Sequence, residues 1–315
     1  MQHISKMKLT RIPSTSVSSL ACNTVEHNDP TYPPRPSTTP TNLLRWLPFL
    51  HTKTDYRVLN FSAHELRTIK AINNASISTL SIGAAGWDDI ADLKLQPRIQ
   101  SAIDELGGSV FVRWDESSPK DGVHGLHPLN SARMVLEQIC TAARTQAALE
   151  ASEKTWLENK TEGKGRVEAW NCPLIMLRWN EAMDVAKEFR CFCWEGRLTA
   201  VSQYEWHRFS HDWSTASPRI WFLAKTALIH ILAYNSALNN AHRSTLLRQG
   251  FVFDILVKGD KLPEEAEEAQ IVALNAFGPN SNCGSALFNW VRDYEVLVGR
   301  TGEREMRILR EGAAE

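Results

Sequence analysis

Two polar residues sit inside apolar strands and invite a chemical reading. Asp254 interrupts "FVFDILV" (251–257), and Asn275 interrupts "IVALNAF" (271–277). The loop "KGDKLPEEAEEAQ" makes these segments the arms of one predicted antiparallel hairpin. A buried carboxylate or amide without a partner costs about 1–3 kcal/mol, so each of the two needs one. Adjacent strands can turn both oxygens into one cavity. That is a donor set for a hard cation such as Mg²⁺, with phosphate oxygens filling the other positions. The same two residues also suit a simple hydrogen-bonded pair that locks the hairpin register. The residues alone leave both readings open.

A second group is cationic. In "EFRCFCW" (188–194), Glu188 and Arg190 alternate with Phe189 and Cys191, and Gln203 lies on the return strand "LTAVSQYEW". The fixed fork of an arginine on a sheet face suits phosphate oxygens, and a surface Glu188–Arg190 pair is the bland alternative. Arg113 ends "SVFVR", and Lys120 lies in the loop "DESSPKDG" that follows it. Arg178 and Trp179 end "PLIMLRW". Strand-end cations with an aromatic wall are what a nucleotide pocket needs. The chain has no Walker-type or GxGxxG loop to do that work instead.

Other constellations are weaker. His124 with His127, and His207 with His211, have metal-compatible spacing but no third ligand close by. The acidic run at 264–268 reads as a solvated loop or short helix. No GxSxG elbow supports a hydrolase triad.

These residues need a scaffold, and composition supplies one. The chain has 315 residues, 43% of them apolar, and 11 tryptophans, enough for a sizeable core. A formal charge of -1 excludes a general attraction to nucleic acid or to an anionic membrane. Six cysteines without a CxxC pair fit a reducing compartment and packed thiols. The apolar stretch 220–238 is interrupted by Lys225, His230 and Asn235, and it reads as a largely buried helix rather than a membrane span.

"LQPRIQSAIDEL" (95–106) has helical spacing and stops at Gly107-Gly108, and "SVFVRW" is a strand after it. Residues 131–160 read as one or two exposed helices. The two hairpins follow, separated by the 220–238 helix. This order is α+β without βαβ alternation. Residues 1–41, rich in Ser, Thr and Pro, read as a disordered tail, although Lys6, Lys8, Arg11 and the absence of acid before Glu26 also suit a transit peptide. One domain in two lobes is expected over 42–300, followed by a C-terminal tail over 301–315.

In their order and spacing, "SAIDELGGSVFVRWDESSPKDG", "EFRCFCWEGRLTAVSQ", "GFVFDIL" and "LNAFG" resemble the cell division cycle protein 123 family. The likeness spans roughly residues 43–290, and "WLPF" fits that family's Trp-x-Pro-Phe. The resemblance implies an ATP-grasp-like fold whose two lobes hold ATP and Mg²⁺. It also implies a eukaryotic, cytoplasmic, monomeric assembly factor for translation initiation factor 2, with the gamma subunit as partner. The family's strand-end lysine falls on Arg113 and its loop arginine on Lys120. Its Leu-Arg-Lys-Trp becomes Met176-Leu177-Arg178-Trp179, while Arg190, Gln203 and Asp254 are kept. Asn275 is kept as well, but a magnesium-ligating aspartate two residues before it is Ala273, which should weaken the metal. Two other functions fit the same residues: an ATP-dependent carboxylate–amine ligase, and a scaffold of this fold that binds no nucleotide.

Overall fold

Unbroken apolar strands need cover on both faces, and the arrangement of elements supplies it. The computed structural model describes residues 7–13, 39–161, 169–237, 240–258, 268–279, 281 and 283–311. In chain order these form β1 (Met7–Pro13), α1 (Leu43–Leu50), β2 (Tyr56–Leu59), α2 (Ala63–Ser76), α3 (Ala84–Asp92), α4 (Leu95–Glu105) and β3 (Val110–Trp114). Then follow α5 (Ala132–Thr141), α6 (Ala143–Thr161), β4 (Leu174–Arg178), β5 (Glu188–Trp194), β6 (Arg197–Gln203) and α7 (Ser217–Ala237). The chain continues through α8 (Asn240–Gln249), β7 (Phe251–Lys258), β8 (Glu268–Ala276), α9 (Tyr294–Leu297) and β9 (Arg304–Arg310). The α+β class expected from the sequence is the one observed.

The chain divides into two compact units, His51–Glu181 on one side and Met1–Leu50 with Ala182–Glu315 on the other. The larger of the two units is discontinuous in sequence.

The larger unit is built on a six-stranded sheet in the order β1-β9-β6-β5-β7-β8. Both predicted hairpins are present, β5–β6 and β7–β8. The first turns through Glu195 and Gly196 at φ 49° and 74°, the positive values that a two-residue primed turn requires. One face of the sheet, with Phe189, Cys191, Phe253, Ile255 and Met306, packs under Trp46 of α1 and Ile220, Leu223 and Ile231 of α7. Phe192, Ala200 and Val252 on the other face pack under Phe277, Phe288 and Trp290. Cover on both faces explains why β5 and β7 are buried nearly end to end. The α7 helix departs from the expected burial: Phe222 and Ile229 point outward.

Two corrections concern the ends. Met7–Pro13, placed in the disordered tail, form β1, and Thr39–Thr41 form a short 3-10 turn. Residues 1–6 and 14–38 of that predicted tail lie outside the described residues. Arg304–Arg310, placed in a C-terminal tail, form β9, which runs parallel to both β1 and β6. Its partners in sequence are about 100 and about 300 residues away, a separation no local pattern reports.

In the smaller unit, β2, β4 and β3 form an antiparallel sheet in that order. One core joins Ile69, Ile99 and Ile103 of the helices to Val112, Trp114 and Met176 of the strands. The predicted helix stop is present: Gly108 N donates to the Ile103 carbonyl at 2.9 Å, with Gly107 left-handed at φ 93°. Residues 131–160 divide into two helices, α5 and α6.

Candidate functional site

Strand register decides which polar residues meet. Arg190 on β5 stands opposite Asp254 on β7 and opposite Ser202 on β6. Asp254 in turn stands opposite Ala273 on β8, and Val252 opposite Asn275. Alternation along the strands then places Arg190, Asp254, Ala273 and Asn275 on one sheet face.

The side chains close into a cluster. Arg190 Nε and Nη2 donate to Asp254 Oδ1 and Oδ2 at 2.8 and 2.9 Å, a bidentate pair. Arg190 Nη1 donates to the Gly284 carbonyl, and the guanidinium lies 4.7 Å from the Tyr204 ring centre. Asn275 Nδ2 donates to Asp254 Oδ2 at 3.2 Å. Both members of the ion pair are buried. Burial pushes the Arg190 pKa down, but the Asp254 charge and its hydrogen bonds push it up by more, so Arg190 stays a cation.

The predicted Asp254–Asn275 partnership is thus a direct hydrogen bond. The donor set for a magnesium ion is thin here. Each Asp254 oxygen already accepts from Arg190, and the position facing it across the hairpin is Ala273, which has no oxygen to offer. Among the described residues, no three His, Cys, Asp or Glu side chains converge on a common point. His124 bonds Glu137 at 2.9 Å, and His211 packs on Trp213. Of the acidic run at 264–268 only Glu268 lies among the described residues, and it pairs with Lys258.

Gln203 is not part of the cluster. It stands opposite Phe189, one residue out of step with Ser202, and its Oε1 accepts from the Leu309 amide at 3.1 Å. Its work is to hold β9 against β6. On the opposite face from Arg190, Cys191 and Cys193 are free thiols, and burial pushes the Cys193 pKa up to about 12. They are packing residues.

The other predicted cations belong to the smaller unit. Arg113 stands opposite Ile175, and Arg178 stands opposite Val110. Val110, Val112 and Trp114 face the core, so Arg113 and Arg178 leave opposite faces of this sheet. Arg113 is buried, whereas Arg178 is exposed, 3.5 Å from Asp55 Oδ1 and bonded to the Thr54 carbonyl. Register therefore separates two residues that the sequence reading grouped. Trp179 is half-buried and Lys120 lies in the loop after β3.

A residue the sequence reading missed lies within reach of the Arg113 charge. His51 has a buried Nε2 without a hydrogen-bond partner. Burial lowers its pKa, Asp55 opposes that shift, and the Arg113 charge adds to it, so the ring is held neutral. A lone histidine just after an apolar helix carries no sequence signal. Only the fold brings it near Arg113.

Comparisons with known proteins agree with this architecture. Residues 88–313 match the D123 protein family. That is well over half of the chain, so the chain belongs to the D123, or Cdc123, family. It is 20% identical over 292 residues to a Candida albicans protein named translation initiation factor eIF2 assembly protein, covering 86% of this chain and 78% of that one. A Lodderomyces elongisporus protein of the same name is 24% identical over 207 residues, covering 62% of this chain and 49% of the relative. Among solved structures, C-terminally truncated Cdc123 from Schizosaccharomyces pombe superposes with a TM-score of 0.59 at 18% identity, covering 96% of this chain and 100% of that one. At that identity the likeness establishes the fold. No helix among the described residues is long and apolar enough to cross a membrane.

Proposed function

We propose that this chain is an assembly factor for eukaryotic translation initiation factor 2, acting by binding a subunit of that factor, the gamma subunit in the finer form of the proposal. The observation that carries it is family membership over residues 88–313, joined to relatives named as assembly proteins for this factor. A cytoplasmic place of action goes with that partner. Co-expression of the three initiation-factor subunits with and without the chain tests the proposal. More assembled trimer in its presence, and direct binding to isolated gamma subunit, are expected. Trimer yield that is indifferent to the chain sinks it.

Nucleotide binding is a second part of the proposal. Arg113, with Lys120 in the next loop, offers the positive charge that phosphates require, and Trp179 offers an apolar wall. Magnesium is left out, because Arg190 and Asn275 already occupy Asp254. That closed cluster also favours a competing reading, a scaffold of this fold without nucleotide. A thermal melt with millimolar ATP separates the two. A rise in Tm that Arg113→Ala abolishes supports nucleotide binding, and no rise leaves the scaffold.

A further inference from the structure

The outward face of α7 lies apart from the cluster around Asp254 and exposes two large apolar side chains. Phe222 and Ile229 are 56% and 57% exposed, although the helix packs its other side on the sheet through Ile220, Leu223, Ala227 and Ile231. With Thr226, Ala233 and Ser236 they recur at alternating steps of four and three residues. This is the spacing of a coiled-coil seam, spanning roughly 21 Å at about 1.5 Å per residue.

The seam hydroxyls do not need water. Thr226 Oγ1 donates to the Phe222 carbonyl at 3.1 Å, and Ser236 Oγ donates to the Leu232 carbonyl at 2.8 Å. Each is satisfied within the helix and can enter a dry interface. Lys225 flanks the seam on one side, and Arg219 and His230 flank it on the other. Arg219 leans over the Phe222 ring at 5.3 Å.

Charge selects the occupant. The three helices of this unit that contribute to the core beneath α7 are α1, α7 and α8, and none contains an aspartate or glutamate. Their described side chains include Arg45, Arg219, Lys225 and Arg248 in a chain whose formal charge is only -1. A second copy would set this cationic layer against itself, which costs free energy. A bilayer favours a broad apolar face, and this one is a single residue wide and broken by hydroxyls. A narrow seam bracketed by cations suits another helix with apolar residues at the same spacing and carboxylates on its flanks.

We propose that the Phe222–Ile229 face of α7 docks an acidic amphipathic helix of a protein partner. This surface is argued independently of the nucleotide and of which subunit is assembled.

The test titrates the full chain against two synthetic helical peptides, both with leucine at the seam positions, one flanked by glutamates and the other by lysines. The glutamate peptide should bind, lose affinity as salt rises, and weaken by about tenfold or more with Phe222→Ser/Ile229→Ser. The lysine peptide should not bind. Unchanged circular dichroism and Tm establish that the double variant is folded, as expected for two exposed positions. The proposal is overturned by no binding of the glutamate peptide, by equal binding of both peptides, or by binding that ignores the double variant. Two other outcomes also overturn it. Co-sedimentation with phosphatidylcholine–phosphatidylserine vesicles that needs Phe222 and Ile229, without peptide binding, assigns the face to a membrane. Self-association that the double variant abolishes assigns it to a second copy.

Discussion

Ala273 stands directly across the hairpin ladder from Asp254, while Arg190 grips the Asp254 carboxylate with two parallel hydrogen bonds at 2.8 and 2.9 Å. The two facts belong together. A buried carboxylate requires compensating charge, and the guanidinium on the neighbouring strand supplies it where the facing position, Ala273, offers none. The pair then ties β5 to β7, with Asn275 adding β8.

Breaking that pair from one side should be costly. Asp254→Ala removes the carboxylate from a buried guanidinium that also holds the Gly284 carbonyl and lies over the Tyr204 ring. The expected loss is about 3–5 kcal/mol, read as a lower midpoint in urea unfolding. Replacing both residues together, Arg190→Met with Asp254→Leu, should recover most of the loss. A double variant as unstable as the single would show that the pair does more than neutralise itself.

Restoring a carboxylate at the facing position tests the metal directly. Ala273→Asp puts a second acid opposite Asp254, which one guanidinium cannot fully neutralise. Thermal melts with and without Mg²⁺ are expected to coincide for the natural chain and to separate for the variant, with Tm higher in Mg²⁺. A magnesium-dependent shift already present in the natural chain would contradict the closed cluster.

His51 should give stability a dependence on mildly acidic pH. Burial holds its folded pKa below the ordinary 6.5, so the unfolded chain takes up the proton first. Below pH 6.5 the unfolded state binds more protons, and stability falls as pH falls until the folded pKa is passed. Removing the titrating group with His51→Gln should flatten that acid limb. The readout is the difference in Tm between pH 7.5 and pH 5.5 (about one unit either side of the histidine value). An identical slope in both proteins would refute this role.

Truncation distinguishes a tail from a strand. Deleting 301–315 would be harmless if these residues were a tail. It removes β9, exposes the edges of β6 and β1, and takes Met306 and Ile308 from the core. It also removes Arg307, whose guanidinium holds Asp293 at 2.7 and 2.8 Å and Glu305 at 2.9 Å. Aggregation or loss of a cooperative melt is expected on size-exclusion chromatography and calorimetry.

Local chemistry was readable before the fold. The hairpins at 188–203 and 251–276 and the helix stop at Gly107-Gly108 are present because their signals lie within a few residues of each other. The Asp254–Asn275 contact was readable for the same reason, since a hairpin makes its own neighbours.

What the sequence determined by itself is the two hairpins, the helices within 95–106, 131–160 and 220–238, the α+β class, and the polar residues that apolar strands would have to accommodate. Beyond the Asp254–Asn275 contact, tertiary structure decided who accommodates them. A shift of one residue in register turns a side chain to the other face. That is why Ser202 rather than Gln203 stands opposite Arg190, and why Arg113 and Arg178 part company. The pairing of β1 with β9 joins opposite ends of the chain, and it too follows from burying sheet edges and faces rather than from any local pattern.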